Sequence, residues 1–280
     1  MRRARYVSLL VALLGGAMFI GAAYWRAQES VRIGSQQFEG RVVISAPVLV
    51  ALYGGDRFLA ANLEVIRLAA TGMDDGHVDA GYLIRAQGVA AELNACHEDN
   101  YFLANGLLAW GGAVREGNKI LRHAMACRFW DGVPPFFYGV NKSFFGRDSE
   151  AAARAFDLAA ERWPENAAAM RKLAIMTRTQ SFADERLALQ YLERQRDNSR
   201  DSKLRELLAK RVVRLQGLVA LRAAQRRYEQ AHGALTDLQQ LLTSHELPAL
   251  PEDPLRLGYE LQGGRIQLKN LKIVGVEDQP

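Results

Sequence analysis

The sequence is poor in the residues that metal centres, disulfide-rich folds and most catalytic sites require. It has two cysteines, Cys96 and Cys127, and five histidines in 280 residues. Two cysteines are too few for a tetracysteine zinc or iron–sulfur site or for a disulfide scaffold. The spaced motifs of phosphate-binding loops, zinc proteases and serine hydrolases are also missing. These absences favour a structural or binding protein, without cofactor or metal, over an enzyme.

The overall composition is that of an ordinary folded chain. Hydrophobic residues make up 49% of the sequence and charged residues 24%, with a formal net charge of +5. These values argue against a disordered or fibrous protein, and the length suits one or two domains with a sizeable core.

A long apolar run lies near the N-terminus. Residues 6–25 contain no charged side chain, and about 20 such residues are needed to cross the hydrocarbon core of a bilayer. Three arginines precede the run and one follows it, which predicts that the N-terminus stays in the cytoplasm. We therefore expect residues 1–28 to form a cytoplasmic stub and a transmembrane signal anchor. Cleavage as a signal peptide near residues 21–23 is the alternative.

This topology predicts a single-pass protein. In a Gram-negative bacterium it would be held in the inner membrane, with its C-terminal domain in the periplasm. That compartment permits disulfides, so Cys96 and Cys127 are candidates for a bond. Two unpaired buried thiols fit the sequence equally well.

The segment from Cys96 to Asp99, CHED, is the cluster that most resembles a catalytic site. Adjacent residues of a helix point about 100° apart, so Cys96 and His97 would not converge there. The segment also fits a loop before a helix, in which Asp99 or Asn100 accepts the first amide hydrogen bonds. An envelope enzyme that uses Cys96 and His97 is therefore the weaker hypothesis.

Helical periodicity begins near Pro47. Apolar residues recur at three- and four-residue steps from 49 to 69, interrupted by Gly54 and Gly55, which predicts two helices or one kinked helix. A turn is expected at 71–76, and a further helical stretch at 80–93. We assign residues 29–46 to a tether and 47–227 to a helical domain.

Two sets of residues share one pattern of spacings, 35 residues apart, and a shared period predicts stacked helical hairpins. The sets are Phe136, Gly139, Ala152, Phe156, Ala159 and Pro164, and Tyr101, Ala104, Gly117, Leu121, Ala124 and Phe129.

On these positions, residues 94–215 resemble a degenerate tetratricopeptide-repeat array of the bacterial membrane-anchored type. Segments 98–110, 134–145 and 151–164 carry the resemblance. It implies a stack of helix pairs whose concave face binds a partner protein or peptide. An unrelated α-helical bundle is the alternative. The residues expected on the binding face are Tyr101, Asn105, Trp110, Tyr138, Asn141 and Lys142.

A basic segment follows the repeat region. Residues 194–227 carry eleven lysines and arginines against three acidic residues, and their apolar positions indicate an amphipathic helix. Anionic lipid or an acidic partner would suit its basic face, and a solvated helix surface is the alternative. No nucleic acid is expected, because the segment lacks interleaved aromatic residues and a recognition motif.

Residues 228–274 are expected to form a small α+β cap, followed by a tail at 275–280. A helix should end at Gly233, and Gly263-Gly264 should join two strands, 258–261 and 265–268. The order of these elements resembles the C-terminal part of the major pseudopilins of type II secretion. Leu255-Arg256-Leu257 replaces the usual aromatic-glycine pair, which argues against a calcium or ligand site and favours a cap that seals the helical stack.

The predicted fold is therefore mainly α: an N-terminal transmembrane helix, a tetratricopeptide-like α-solenoid and a C-terminal cap of a helix and a β-hairpin. The predicted function is a non-enzymatic membrane-anchored scaffold or adaptor that binds partner proteins of an envelope assembly, for example a secretion or pilus system. A self-assembling structural subunit is the alternative.

Overall fold

The computed structural model describes residues 14–21, 42–71, 73–74, 77–78 and 80–269. The described chain is mainly helical, with a small two-stranded antiparallel sheet near its C-terminal end, which confirms the predicted class at this level. Within the predicted span 6–25, residues 14–21 are helical, and the others lie outside the described residues. No helix in the described part of the chain is both long enough and apolar enough to span a membrane.

Two glycines separate the first two helices of the domain. Gly54 and Gly55 have φ angles of +66° and +89°, a region that glycine enters without steric cost. The expected interruption therefore yields two helices and not one kinked helix. A short antiparallel pairing of residues 73–74 with 77–78 was not expected. The elements are α1 (Ala46–Leu52), α2 (Arg57–Thr71), β1 (Met73–Asp74), β2 (His77–Val78) and α3 (Ala80–Leu93).

The middle of the chain is a run of helices joined by short loops. The helix that begins at Glu98 continues into a π-helical turn at Ala104–Ala109, which the sequence pattern did not indicate. Asp148 caps α7 by accepting a hydrogen bond from the Ala151 amide at 3.0 Å. The elements are α4 (Glu98–Leu103), α5 (Val114–Cys127), α6 (Val133–Phe144), α7 (Ser149–Arg162), a 3₁₀ turn (Pro164–Asn166) and α8 (Ala167–Ser181).

The basic segment 194–227 belongs to two helices, α9 (Glu185–Asn198) and α10 (Ser202–His232), and not to one. Asp201 begins the second helix, because its carboxylate accepts the Leu204 amide at 2.7 Å. Gly233, with φ +86°, ends α10 as predicted.

The C-terminal hairpin has the predicted form. Gly263 and Gly264 both have positive φ, +58° and +75°, and join the two strands as the tight two-residue turn that such angles produce. The register pairs Gln262 with Arg265. The elements are α11 (Gln240–Thr243), β3 (Tyr259–Gln262) and β4 (Arg265–Leu268).

The interior is a series of local clusters along the chain. One cluster joins α2, α3, α4, the π turn and α5, with side chains of α6 packed against it. Two small clusters join α6, α7 and α8. A large cluster joins α8, α9 and α10 to the C-terminal hairpin. Most helices therefore pack against their neighbours in sequence.

Residues of the 35-residue spacing lie in the contacts between successive helices. A Cβ atom at Gly139 would stand 2.7 Å from the ring of Phe156, so only glycine lets α6 and α7 approach so closely. At Gly117 an added Cβ would meet the Ala104 carbonyl oxygen at 3.1 Å. Phe129 and Pro164, the last position of each set, differ from the rest, because both are exposed.

Candidate protein-binding surface

The six residues predicted to line a binding face do not share one surface. Tyr101 and Asn141 are buried, with 1% and 0% of their surfaces exposed. Asn105, Tyr138 and Lys142 are half-buried, and Trp110 is exposed. The expectation of one open face must be corrected, because the inner side of these helices packs against neighbouring helices.

Asn141 holds three elements together through its amide. Its Nδ2 donates to Oδ1 of Asn105 and to Oδ1 of Asn118, both at 3.0 Å. The bonds join α6 to the π turn and to α5. A buried amide is costly unless it is hydrogen-bonded, so this trio is a structural connection. Oδ1 of Asn141 has no partner among the described residues.

Tyr101 belongs to a polar network at the other end of its helix. Its hydroxyl donates to Oδ2 of Asp131 at 2.9 Å, and Arg128 donates to the same oxygen at 2.8 Å. The pKa of Tyr101 is raised, mainly because the side chain is buried and secondly because its hydroxyl is hydrogen-bonded to Asp131. Burial works to raise the pKa of Asp131, but the Val133 amide, Arg128 and Tyr101 outweigh it and leave that pKa lowered. Tyr101 therefore acts as a donor inside the fold.

Cys96 and Cys127 form a disulfide with their Cα atoms 5.3 Å apart. It joins the loop before α4 to the end of α5, and Arg128 supports the loop by donating to the Cys96 carbonyl at 3.3 Å. The sequence allowed either a disulfide or two unpaired thiols, and the structure contains the disulfide. In this state Cys96 has no thiol that could act as a nucleophile.

The rest of the Cys96–Asp99 segment does not form the expected cap. His97 occupies the N-cap position, and its side chain makes no capping hydrogen bond. Asn100 instead donates to the Gln87 carbonyl at 3.3 Å. Burial lowers the pKa of His97, and its Nδ1 has no partner in the described part of the chain. Residues 94–97 thus form the loop from α3 to α4, and Glu98 and Asp99 lie in the first turn of α4.

Three aromatic side chains form an exposed group at the ends of two helices. Trp110 follows the π turn, and Phe144 and Phe145 end α6. Their exposed fractions are 54%, 69% and 38%. The Trp110 ring centroid lies 5.7 Å from that of Phe144 and 5.2 Å from that of Phe145, the second pair at 80°. We refer to Trp110, Phe144 and Phe145 as the aromatic cluster.

The aromatic cluster has polar neighbours in sequence. Lys142 lies in the last turn of α6. Its ammonium nitrogen is 3.7 Å from Oδ2 of Asp148 and 5.7 Å from the centre of the Tyr138 ring. Of the cluster, the sequence prediction included Trp110 but missed both phenylalanines. The available signal was a pair of large apolar residues directly before Gly146, where a helix was due to end.

Several cations of the basic segment are bound within the chain. Arg214 pairs with Asp253, Arg222 pairs with Glu185, and Arg227 pairs with Glu246. Lys203 and Arg205 are exposed. The basic face expected to meet lipid or an acidic partner would therefore consist of the cations that form none of these pairs, such as Lys203 and Arg205.

Asp253 organises the cap from the inside. Its carboxylate accepts the amides of Leu255, Leu257 and Gly258 at 2.7–3.0 Å and pairs with Arg214 at 3.0 Å. Burial works to raise the pKa of Asp253, but these bonds and the guanidinium outweigh it and lower that pKa. The carboxylate is therefore engaged by the protein itself. No cluster of three or more potential metal ligands occurs among the described residues.

Comparison with known proteins gives no match: no family model, no curated protein and no solved structure is similar to the chain. The resemblances to tetratricopeptide repeats and to pseudopilins therefore have no independent support and stay proposals.

Proposed function

We propose that the protein is a membrane-anchored helical-repeat scaffold that binds a partner protein of an envelope assembly through the aromatic cluster. Its anchor is the apolar run at residues 6–25, and its helical domain lies on the non-cytoplasmic side. A secretion or pilus system is the kind of assembly that the pseudopilin-like cap suggests. The binding role is non-enzymatic.

The aromatic cluster is the observation that carries this proposal. Large aromatic side chains supply much of the binding free energy at protein interfaces, and they act from small contiguous groups. Trp110, Phe144 and Phe145 are contiguous and exposed. They lie at the ends of two elements that the Asn141 amide fixes to each other, so the cluster is presented by a rigid base.

The serial arrangement of the core supports a repeat architecture. Helices that pack mainly against their sequence neighbours are typical of repeat proteins, whose end units need a cap. The hairpin of β3 and β4 covers the C-terminal part of the large cluster, where Ile266 is fully buried. That placement suits a cap.

The disulfide supports the proposed compartment. Disulfides persist in the periplasm and other oxidising compartments, and they are rare in the cytosol. The Cys96–Cys127 bond therefore agrees with the topology that the arginines around residues 6–25 predict.

The test compares two aromatic groups of one protein in its native membrane. Full-length wild type, W110A/F144A/F145A and the control F129A/W130A are cross-linked, captured and identified by mass spectrometry. Phe129 and Trp130 are also exposed and meet edge to face, with centroids 4.9 Å apart, so the control removes similar surface elsewhere. We expect the triple variant to lose its partner by about 30-fold or more, with an unchanged melting temperature, and the control to retain it.

Equal capture by the triple variant and the control would contradict the assignment of the binding surface. Capture of no protein other than copies of the chain itself would favour the self-assembling subunit instead.

A further inference from the structure

Helix α2 is apolar on two opposite sides. On one side Ala60, Val65 and Leu68 are buried, with 0–3% of their surfaces exposed. On the other side Leu59, Leu63 and Ile66 are exposed by 44%, 37% and 63%. We refer to Leu59, Leu63 and Ile66 as the apolar stripe.

The positions of the apolar stripe fall on one line along the helix. At about 100° per residue, positions 59, 63 and 66 lie within about 60° of one another. An exposed apolar patch of this kind marks a contact surface. The neighbouring α1 also exposes Val48 and Leu52, by 50% and 65%.

The charged side chains of α2 have partners within the chain. Arg57 donates to the Leu93 carbonyl at 2.7 Å. Arg67 pairs with Glu64, a residue that is only 3% exposed. The apolar stripe itself contains no charged or polar side chain. An apolar surface would complement these side chains, and the hydrocarbon boundary of a membrane is such a surface.

The segment between the apolar run and α1 is short enough for α2 to reach the membrane. The apolar run ends at Trp25 and α1 begins at Ala46, so 20 residues connect them. Twenty residues reach at most about 70 Å when extended and about 25 Å as a flexible coil. An anchor at residues 6–25 would limit the distance between α1 and the bilayer to this reach, which would raise the effective concentration of lipid at the apolar stripe.

We propose that the apolar stripe lies in the headgroup–acyl boundary of the bilayer that holds residues 6–25, in the manner of an in-plane amphipathic helix. The inference rests on the proposed membrane anchor.

The test maps lipid contact in the full-length protein, reconstituted in vesicles of phosphatidylethanolamine and phosphatidylglycerol. The photoreactive residue benzoylphenylalanine replaces Leu63 in one sample and Leu187 in a matched control. Leu187 is an exposed leucine of α9, 51% accessible, and lies far along the chain from the anchor. After irradiation we expect a lipid adduct at position 63, detected by mass spectrometry, and at most a tenth as much at position 187.

A second variant tests the contact itself. L59E/I66E, with the photoreactive residue still at position 63, should lose most of the lipid adduct. L187E with the same label should keep it. Because all of these side chains are exposed, their replacement leaves the core intact, and unchanged circular dichroism checks this.

The outcomes separate the inference from the proposed anchor. Release of the wild type by alkaline carbonate would overturn the anchor and the inference together. Retention in the membrane without a lipid adduct at position 63 would overturn the inference alone. An adduct to a second copy, to another segment of the same chain or to a different protein would also overturn it, as would an adduct that survives L59E/I66E.

Discussion

Two regions of the protein, the one around α4 and α5 and the C-terminal cap, are stabilised by different kinds of interaction. Around α4 and α5 a covalent bond joins Cys96 to Cys127. At the C-terminal cap an ion pair between Arg214 and Asp253 is buried, with side-chain exposures of 3% and 5%. One connection depends on the redox state of its surroundings, and the other depends on protonation.

The difference has a physical basis. A disulfide stabilises mainly by restricting the unfolded chain. A buried ion pair acts in the folded state, and losing one partner leaves an uncompensated charge in the interior. In a chain with serial cores, local regions can open separately. We therefore expect each connection to protect its own region, and the following experiments test that expectation in detergent-solubilised full-length protein.

The largest effect is expected from Asp253→Ala. The variant leaves the Arg214 guanidinium buried without its partner and frees three backbone amides. We expect the cap to lose about 3–5 kcal/mol of stability. Hydrogen exchange of the β3 and β4 amides measures this loss directly.

R227A/E246A is the matched control for that variant. Arg227 and Glu246 also join α10 to the cap, at 2.8 Å, but the arginine side chain is 54% exposed. Exposed pairs contribute about 0–1 kcal/mol, so exchange in the hairpin should change little. A loss as large as that of D253A would show that burial of the Arg214–Asp253 pair is not what matters.

The same ion pair predicts a response to acid. The pKa of Asp253 is lower in the folded protein than its ordinary value. Its contribution is therefore present above the unfolded-state pKa of about 3.9 and is lost as the pH falls through the folded-state value. The pKa of Asp131 is lowered in the same direction, so acid should weaken both regions. Asp253→Asn should remove the pH response of the cap alone, as measured by hydrogen exchange at a series of pH values.

A slightly smaller loss is expected from Cys127→Ser. The disulfide closes a loop of 31 residues, for which the chain-entropy relation gives about 3–4 kcal/mol. Exchange should increase in α4 and α5, while β3 and β4 keep their protection. Treatment of the wild type with a thiol reductant should reproduce the effect.

The reductant provides the control for that experiment, because C127S should no longer respond to it. Equal loss of protection in α5 and in the cap would contradict the comparison, since it would show that the two regions open as one unit.

Local sequence signals predicted much of this fold. Glycines at 54, 55 and 233 take the positive φ angles that end helices, and the pair at 263 and 264 fixes the hairpin turn. Such signals succeed because the conformation is decided within a few residues. The break before Asp201 inside the basic segment was missed, although Asn198, Ser199 and Asp201 favour a turn and a helix start. The shared basic charge had grouped the residues on both sides into one segment.

The candidate site was harder to predict. The helical positions of Tyr101, Asn105 and Asn141 were identified, but their burial depends on which neighbouring helices pack against them. Asn141 is hydrogen-bonded to Asn105 and Asn118, which lie 36 and 23 positions away in the chain. Contacts between such distant residues cannot be inferred from local sequence patterns. Phe144 and Phe145 look like core residues in sequence, and only the end of α6 exposes them.

The smallest loss of stability is expected from a substitution of Gly217, where α10 meets β3. An added Cβ there would overlap the Tyr259 hydroxyl and lie 2.9 Å from Cβ of Pro251. Alanine favours a helix over glycine by about 1 kcal/mol, yet we expect Gly217→Ala to destabilise the cap by about 1–3 kcal/mol, because overpacking outweighs propensity. Hydrogen exchange of β3 again measures the loss.

Tyr259→Phe shows whether that close approach is the cause. Alone it removes the hydroxyl that donates to the Arg214 carbonyl at 3.2 Å, at a cost of about 1 kcal/mol. In G217A/Y259F the hydroxyl no longer blocks the new methyl group, so the double variant should be more stable than the sum of the single losses predicts, by about 1 kcal/mol. Rescue should stay partial, because Pro251 still stands close. Strictly additive losses would show that the tyrosine hydroxyl does not set the distance between α10 and the hairpin.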